Sequence, residues 1–250
     1  MENYEKTTEN LTENVEETAE ATKKTKKENA FVNLLLSDWR QYRKSQIIAI
    51  NALLCALVLL FVLVPLKLGV LDLAVIPIIA IIISAEVLGV LNGVLTGLFF
   101  AFVSFFNHLA RPGVLSPVFI QNPMVTFLPR ILMPIMVFLA IKLLDYLFSK
   151  IKYNSEKSKK ITPKILDTIK YSVGACFGVI TNTAGVLGFM FAFYGGNTLN
   201  TGIAITAEFI SGIIATNAVL ELIVCALVTP AVTIAVKKTL SLTMKKRVKN

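Results

Sequence analysis

The stretch Leu73–Phe106, LAVIPIIAIIISAEVLGVLNGVLTGLFFAFVSFF, decides how this chain is folded. It is nearly all apolar, interrupted by Ser84-Ala85-Glu86. A helix needs about 20 residues to cross the ~30 Å hydrocarbon core of a bilayer. These 34 residues are therefore one overlong helix or two helices joined by a tight turn.

The flanking sequence chooses between the two. Further apolar runs cover Ile47–Val64, Thr126–Leu147, Asp167–Tyr194 and Ala207–Val236. A turn at Glu86 makes six spans and puts both chain ends on the same side as the lysine-dense loop 149–164, SKIKYNSEKSKKITPK. Of 25 Lys and Arg residues, all but Lys67, Arg111 and Arg130 then lie on that side. A single long helix would put the loop and the basic N-terminal flank on opposite faces. Cationic loops hold the cytoplasmic side, so the pattern predicts an all-α membrane protein with six transmembrane helices and both termini cytoplasmic. The second helix, about Leu71–Ala85, is expected to be short, and tilted or partly interfacial.

Composition agrees with this class. The chain is 55% hydrophobic and 16% charged, with a mean hydropathy of +0.69, against about 25% charged for a soluble domain. The net charge of +9 reads as loop asymmetry, not as a nucleic-acid surface. Residues 1–30 are rich in Glu, Thr, Asn and Lys and bury too little apolar surface to fold. Residues 31–46, with Trp39, Tyr42, Arg40, Arg43 and Lys44, read as an interfacial lead-in. The chain thus divides into a tail and lead-in at 1–44, a membrane domain at 45–238 and a basic tail at 239–250. No cleavable signal peptide is expected, because the first apolar run begins near Ile47.

Chemistry is sparse. Cys55, Cys176 and Cys225 stand apart in apolar runs, and His108 is the one histidine, so neither a disulfide framework nor a metal site is indicated. A phosphate-binding GxxxxGK[ST] loop is absent, as is any Ser/His or paired-carboxylate arrangement, so no catalysis and no cofactor are expected. Small residues recur every four positions at Ala52 and Ala56, at Gly89, Gly93, Gly97 and Ala101, and at Gly174 and Gly178. Such stripes let helix backbones approach closely in lipid; spacing alone does not say which one faces a partner.

Polar residues within spans are costly unless paired or in use. Thr181, Asn182 and Thr183 lie near the middle of the fifth span, and Asn217 and Glu221 share one face of the sixth. Glu208 lies about 20 Å outward along the same helix. Pro123 and Pro129 flank an expected turn before Arg130, whose fork suits a carboxylate. The asparagines fit a network between helices as well as a binding site. Glu221 and Arg130 are lone charges that need a partner or a wet cavity, and Arg130 is expected to lie too near the surface to pair with Glu221.

Three phrases carry a family resemblance: Asn122-Pro-Met-Val-Thr-Phe-Leu-Pro-Arg130, Gly178-Val-Ile-Thr-Asn182-Thr183 and Asn217-Ala-Val-Leu-Glu221. In order, spacing and topology, residues 45–238 resemble the substrate-binding S components of energy-coupling factor transporters, in their pantothenate-type branch. The resemblance implies a multi-pass plasma-membrane protein that captures a water-soluble vitamin from outside and has no ATPase of its own. It further implies docking on a transmembrane coupling subunit with two cytoplasmic ATPases, through the small residues at Ala52 and Ala56. Its pocket would draw on Arg130, Asn182, Thr183, Asn217 and Glu221, Arg130 meeting the anionic group of pantothenate. The competing reading is a stand-alone transporter or channel coupled to ions through Glu221.

Overall fold

The computed structural model describes residues 42, 44–64, 66–68, 71–150 and 156–248, with backbone alone over 66–68, 71–73, 156–163 and 242–248. The expectations for the tail, and for Trp39, Arg40 and Arg43, lie outside these residues. In chain order the elements are α1 (Lys44–Leu63), a two-stranded antiparallel hairpin of β1 (Leu66–Leu68) and β2 (Leu71–Leu73), α2 (Val75–Leu88), α3 (Val90–Ala110), α4 (Ser116–Gln121), α5 (Pro123–Ser149), α6 (Glu156–Tyr194), α7 (Ala207–Ile213), a π-helical turn (Ile214–Ala218) and α8 (Val219–Val248). Among the described residues, five helical segments, Lys44–Leu63, Val90–Ala110, Pro123–Ser149, Lys164–Tyr194 and Ala207–Ser241, are long and apolar enough to cross a membrane. The chain is a helical, multi-pass membrane protein; the short hairpin and an isolated antiparallel bridge between Thr198 and Ala204 are the β features among the described residues.

The stretch 73–106 does form two helices. They meet at Gly89, three residues beyond the expected turn at Glu86, with φ 91° in the left-handed region open to glycine. Asn92 Nδ2 donates to the Leu88 carbonyl (2.8 Å), one of the acceptors that the helix end leaves free. The chain reverses there, and α3 runs back along α2. Gly93 fits against Ala85 and Pro134, where a Cβ would come within 2.8 Å of both side chains; Gly97 fits against Ile81 and the backbone carbonyl of Arg130.

The short helix is not tilted out to an interface. Every residue of α2 except Ile76 is buried, because α1, α3, α5, α6 and α8 surround it. A helix apolar on all sides suits lipid and a protein core equally well, and here the five long spans are the surroundings. A polar seam fastens its far end: Asn51 Nδ2 donates to Asn92 Oδ1 (2.7 Å), Ser84 to Asn51 Oδ1 (3.1 Å) and Thr96 to Ser84 (3.1 Å).

Proline shapes two of the long helices without ending them. Pro129 and Pro134 lie inside α5, so the turn expected before Arg130 is a continuous helix. That helix starts instead at Pro123, under an Asn122 side chain that accepts from Met124 N (3.2 Å). Each internal proline removes the N–H that would bond the carbonyl four residues back. Pro129 frees the Val125 carbonyl, which accepts from Arg130 Nη1 (2.9 Å). The Arg130 carbonyl freed by Pro134 abuts Gly97. In α8, Pro230 frees the Ala226 carbonyl, which accepts from Ser172 Oγ (2.9 Å). Within a bilayer such carbonyls need partners from the protein; Val125 finds its donor on α5 itself, and Ala226 finds its donor on α6.

Candidate functional site

The hairpin, α4 and the 195–206 loop gather at one end of the bundle. Just beneath them lies a cavity of about 130 Å³, lined by Ala74 at the start of α2, Arg130 from α5, Asn182 and Thr183 from α6, Asn217 from the π-helical turn and Glu221 from α8, among others. All five polar residues singled out in the sequence as a pocket are therefore neighbours around one space. Arg130, Asn182, Asn217 and Glu221 are buried. The π-helical turn holds Asn217 itself; such turns widen a helix locally and recur at functional sites.

The polar groups are only partly satisfied by the protein. Ala74, at the start of α2, faces Glu221 across the cavity. The Arg130 guanidinium lies over the Phe100 ring, 5.3 Å from its centroid, and uses Nη1 on Val125. Four buried atoms have no partner among the described residues: Arg130 Nε, Asn182 Oδ1, Thr183 Oγ1 and Asn217 Oδ1. An unmet buried polar atom costs about 1–3 kcal/mol, so four around one cavity call for a hydrogen-bonding partner there, water or solute. Arg130 proves deep enough to share the cavity with Glu221, yet no ion pair joins them within 4.0 Å. A cation, a carboxylate, two amides and a hydroxyl thus converge with complementary donor and acceptor chemistry.

The cavity is roofed by apolar packing. Val118 of α4, Val125, Leu187, Met190, Leu199, Ile205 and Ile213 form one buried cluster, with Leu115 and Phe119 packed against it and lining the cavity from above. Thr201 Oγ1 ties the 195–206 loop to the Val114 carbonyl (2.9 Å), and His108 stacks on Phe119 with centroids 4.6 Å apart. Sideways, the cavity adjoins an apolar groove of about 520 Å³ between α6 and α7–α8, sharing Thr183, Leu187 and Ala218 with it.

No family model matches the chain, and no curated protein matches it.

The other residues of interest separate by place. Gly93, Gly97, Gly174 and Gly178 are taken up inside the bundle. Ala52 and Ala56 are instead exposed on α1, beside exposed Ile48, Leu53 and Leu60. Glu208 is exposed near the start of α7, clear of the cavity.

Glu86, the residue at which the sequence places a turn, has a structural role of its own. Glu86 is buried near the end of α2, where Thr233 Oγ1 donates to its Oε2 (2.6 Å). Its Oε1 and Thr229 Oγ1 are buried without partners among the described residues, and a Cβ on Gly174 would come 3.1 Å from Oε1. A lone acid in an otherwise apolar stretch was the available signal.

Proposed function

We propose that the chain is the substrate-capture subunit of an energy-coupling factor importer, a six-span plasma-membrane protein with both termini in the cytoplasm. It takes a small anionic vitamin, with pantothenate as the best candidate, into the cavity around Arg130. The observation that carries this reading is the convergence of Arg130, Asn182, Thr183, Asn217 and Glu221 from three spans on one buried cavity, four of their atoms unmet. Arg130 receives the carboxylate along its free Nε edge; Glu221 and the two amides take hydroxyl and amide groups. At about 130 Å³ the cavity is below the ~300–1,000 Å³ of most ligand sites. Admission therefore requires the roof of α4 and the 195–206 loop to lift, and the closed arrangement corresponds to an occluded state.

Two further features support the reading. Ala52 and Ala56 lie on an exposed apolar face of α1, available to a coupling subunit. Lys44, Lys150 and Lys164 stand at the end of the bundle opposite the cavity roof, as a cytoplasmic end requires. The competing ion-coupled carrier draws support from a second buried carboxyl, Glu86, in addition to Glu221.

Pantothenate is expected to protect the purified protein from thermal unfolding where folate and thiamine do not. Arg130→Gln should weaken that binding by about 10- to 100-fold, the worth of a charge-assisted hydrogen bond. Ala52→Trp with Ala56→Trp should abolish co-purification with the coupling subunit and leave pantothenate binding intact. Protection by thiamine alone would reject the ligand, and uptake that survives deletion of the ATPases but collapses with the proton gradient would reject the importer.

A further inference from the structure

Away from the polar cavity, α1 and α3 enclose a second groove of about 390 Å³, lined by Leu59 and Leu63 of α1, by Phe99, Phe102 and Phe106 of α3, and by Arg111 at its mouth. Phe102 and Phe106 are 52% and 61% exposed, which in a membrane span means facing lipid. Phe102 is held edge-on against Phe127, with centroids 5.0 Å apart, so this wall is fixed by packing. From Phe99 to Arg111 the groove follows about 18 Å of helix, close to the ~15 Å of one leaflet's hydrocarbon. Its charged end is the end at which a lipid carries its headgroup.

Arg111 closes α3 and donates through Nη1 to the Leu63 carbonyl (3.0 Å), which fixes the guanidinium across the end of α1. It is exposed, and the rest of its fork remains available to an anion. Two helix C-termini meet here, and their partial negative charges offset part of the arginine's charge. A bare anion is thus weakly attracted. A phosphate that also brings a chain into the groove gains from both contacts.

We propose that this groove is a specific phospholipid site, with one acyl chain along Phe99, Phe102 and Phe106 and the phosphate on Arg111. The site lies apart from the vitamin cavity and shares no lining residue with it. Its occupant braces α1 against α3 while leaving Ala52 and Ala56 of α1 uncovered.

The test uses the full chain reconstituted in nanodiscs of phosphatidylcholine doped equally with phosphatidylglycerol and diacylglycerol, then released for native mass spectrometry. Wild type is expected to retain phospholipid over diacylglycerol by about tenfold or more, the ratio that a charge-assisted hydrogen bond gives. Arg111→Gln keeps an amide donor for Leu63 but should lose that preference, and Arg111→Lys should restore part of it. Val103→Trp, which fills the groove from α3, should lower retention of the phospholipid itself. Unfolding temperatures of the variants in lipid-free detergent show that each is folded. Equal retention of diacylglycerol, an unchanged preference in Arg111→Gln, or binding of inorganic phosphate as tight as that of the lipid overturns the proposal.

Discussion

Gly97 and Gly188 carry the same side chain and opposite constraints. A Cβ at Gly97 would press on the Arg130 carbonyl, which is backbone and cannot rotate away, whereas one at Gly188 would meet nothing within 4 Å. Gly97→Ala should therefore destabilise the protein by about 1–3 kcal/mol, and Gly188→Ala should stabilise it by up to about 1 kcal/mol through helix propensity. Unfolding in a fixed detergent micelle measures both. The four-residue spacing showed that Gly97 packs closely against something; it did not show that the neighbour is the arginine at the cavity. Arg130, Asn182, Asn217 and Glu221 were legible as costly residues inside apolar runs. Their convergence was not, because it depends on how α5, α6 and α8 are arranged about α2. Pro129 was misread as part of a turn because the cost of proline in a helix vanishes when another donor takes the freed carbonyl, and here that donor is Arg130 itself.

Among elements, α1 and α2 make the clearest contrast. IIAINALLCALVLLFVL and VIPIIAIIISAEVL are both nearly uniform in hydropathy, yet one lies at the rim with most of one face exposed and the other is enclosed. No period distinguishes them, because lipid and protein interior are alike in polarity; only the shorter length of α2 hinted at a different role. Pro230 within α8 allows a direct test of how its missing hydrogen bond is replaced. Ser172 donates to the Ala226 carbonyl that Pro230 leaves free. Restoring the N–H with Pro230→Ala makes that donation redundant, so Ser172→Ala should cost less in that background than in the wild type. A double-mutant cycle is expected to give a coupling of about 0.6 kcal/mol, the usual worth of a hydrogen bond between helices in a membrane. A coupling of zero would mean that the carbonyl is satisfied some other way.

At the scale of the whole molecule, charge parity alone gave the two-helix reading of 73–106, and the reversal at Gly89 agrees with it. Lysine placement sets the expected orientation in the membrane. With Cys55, Cys176 and Cys225 replaced by Ala, Asn200→Cys should react with a membrane-impermeant maleimide on intact cells, and Lys150→Cys only after permeabilisation. The reverse pattern would place the cavity roof in the cytoplasm and remove the case for capture from outside. The central claim, that the buried polar cavity holds a small acid, is tested most directly by native mass spectrometry of protein purified gently from cells supplied with pantothenate. The expected result is one bound acid on the wild type and on Ala52→Trp/Ala56→Trp, and none on Arg130→Gln. An Arg130→Gln protein that keeps the same acid, or a folded wild type that carries none in saturating pantothenate, would contradict it.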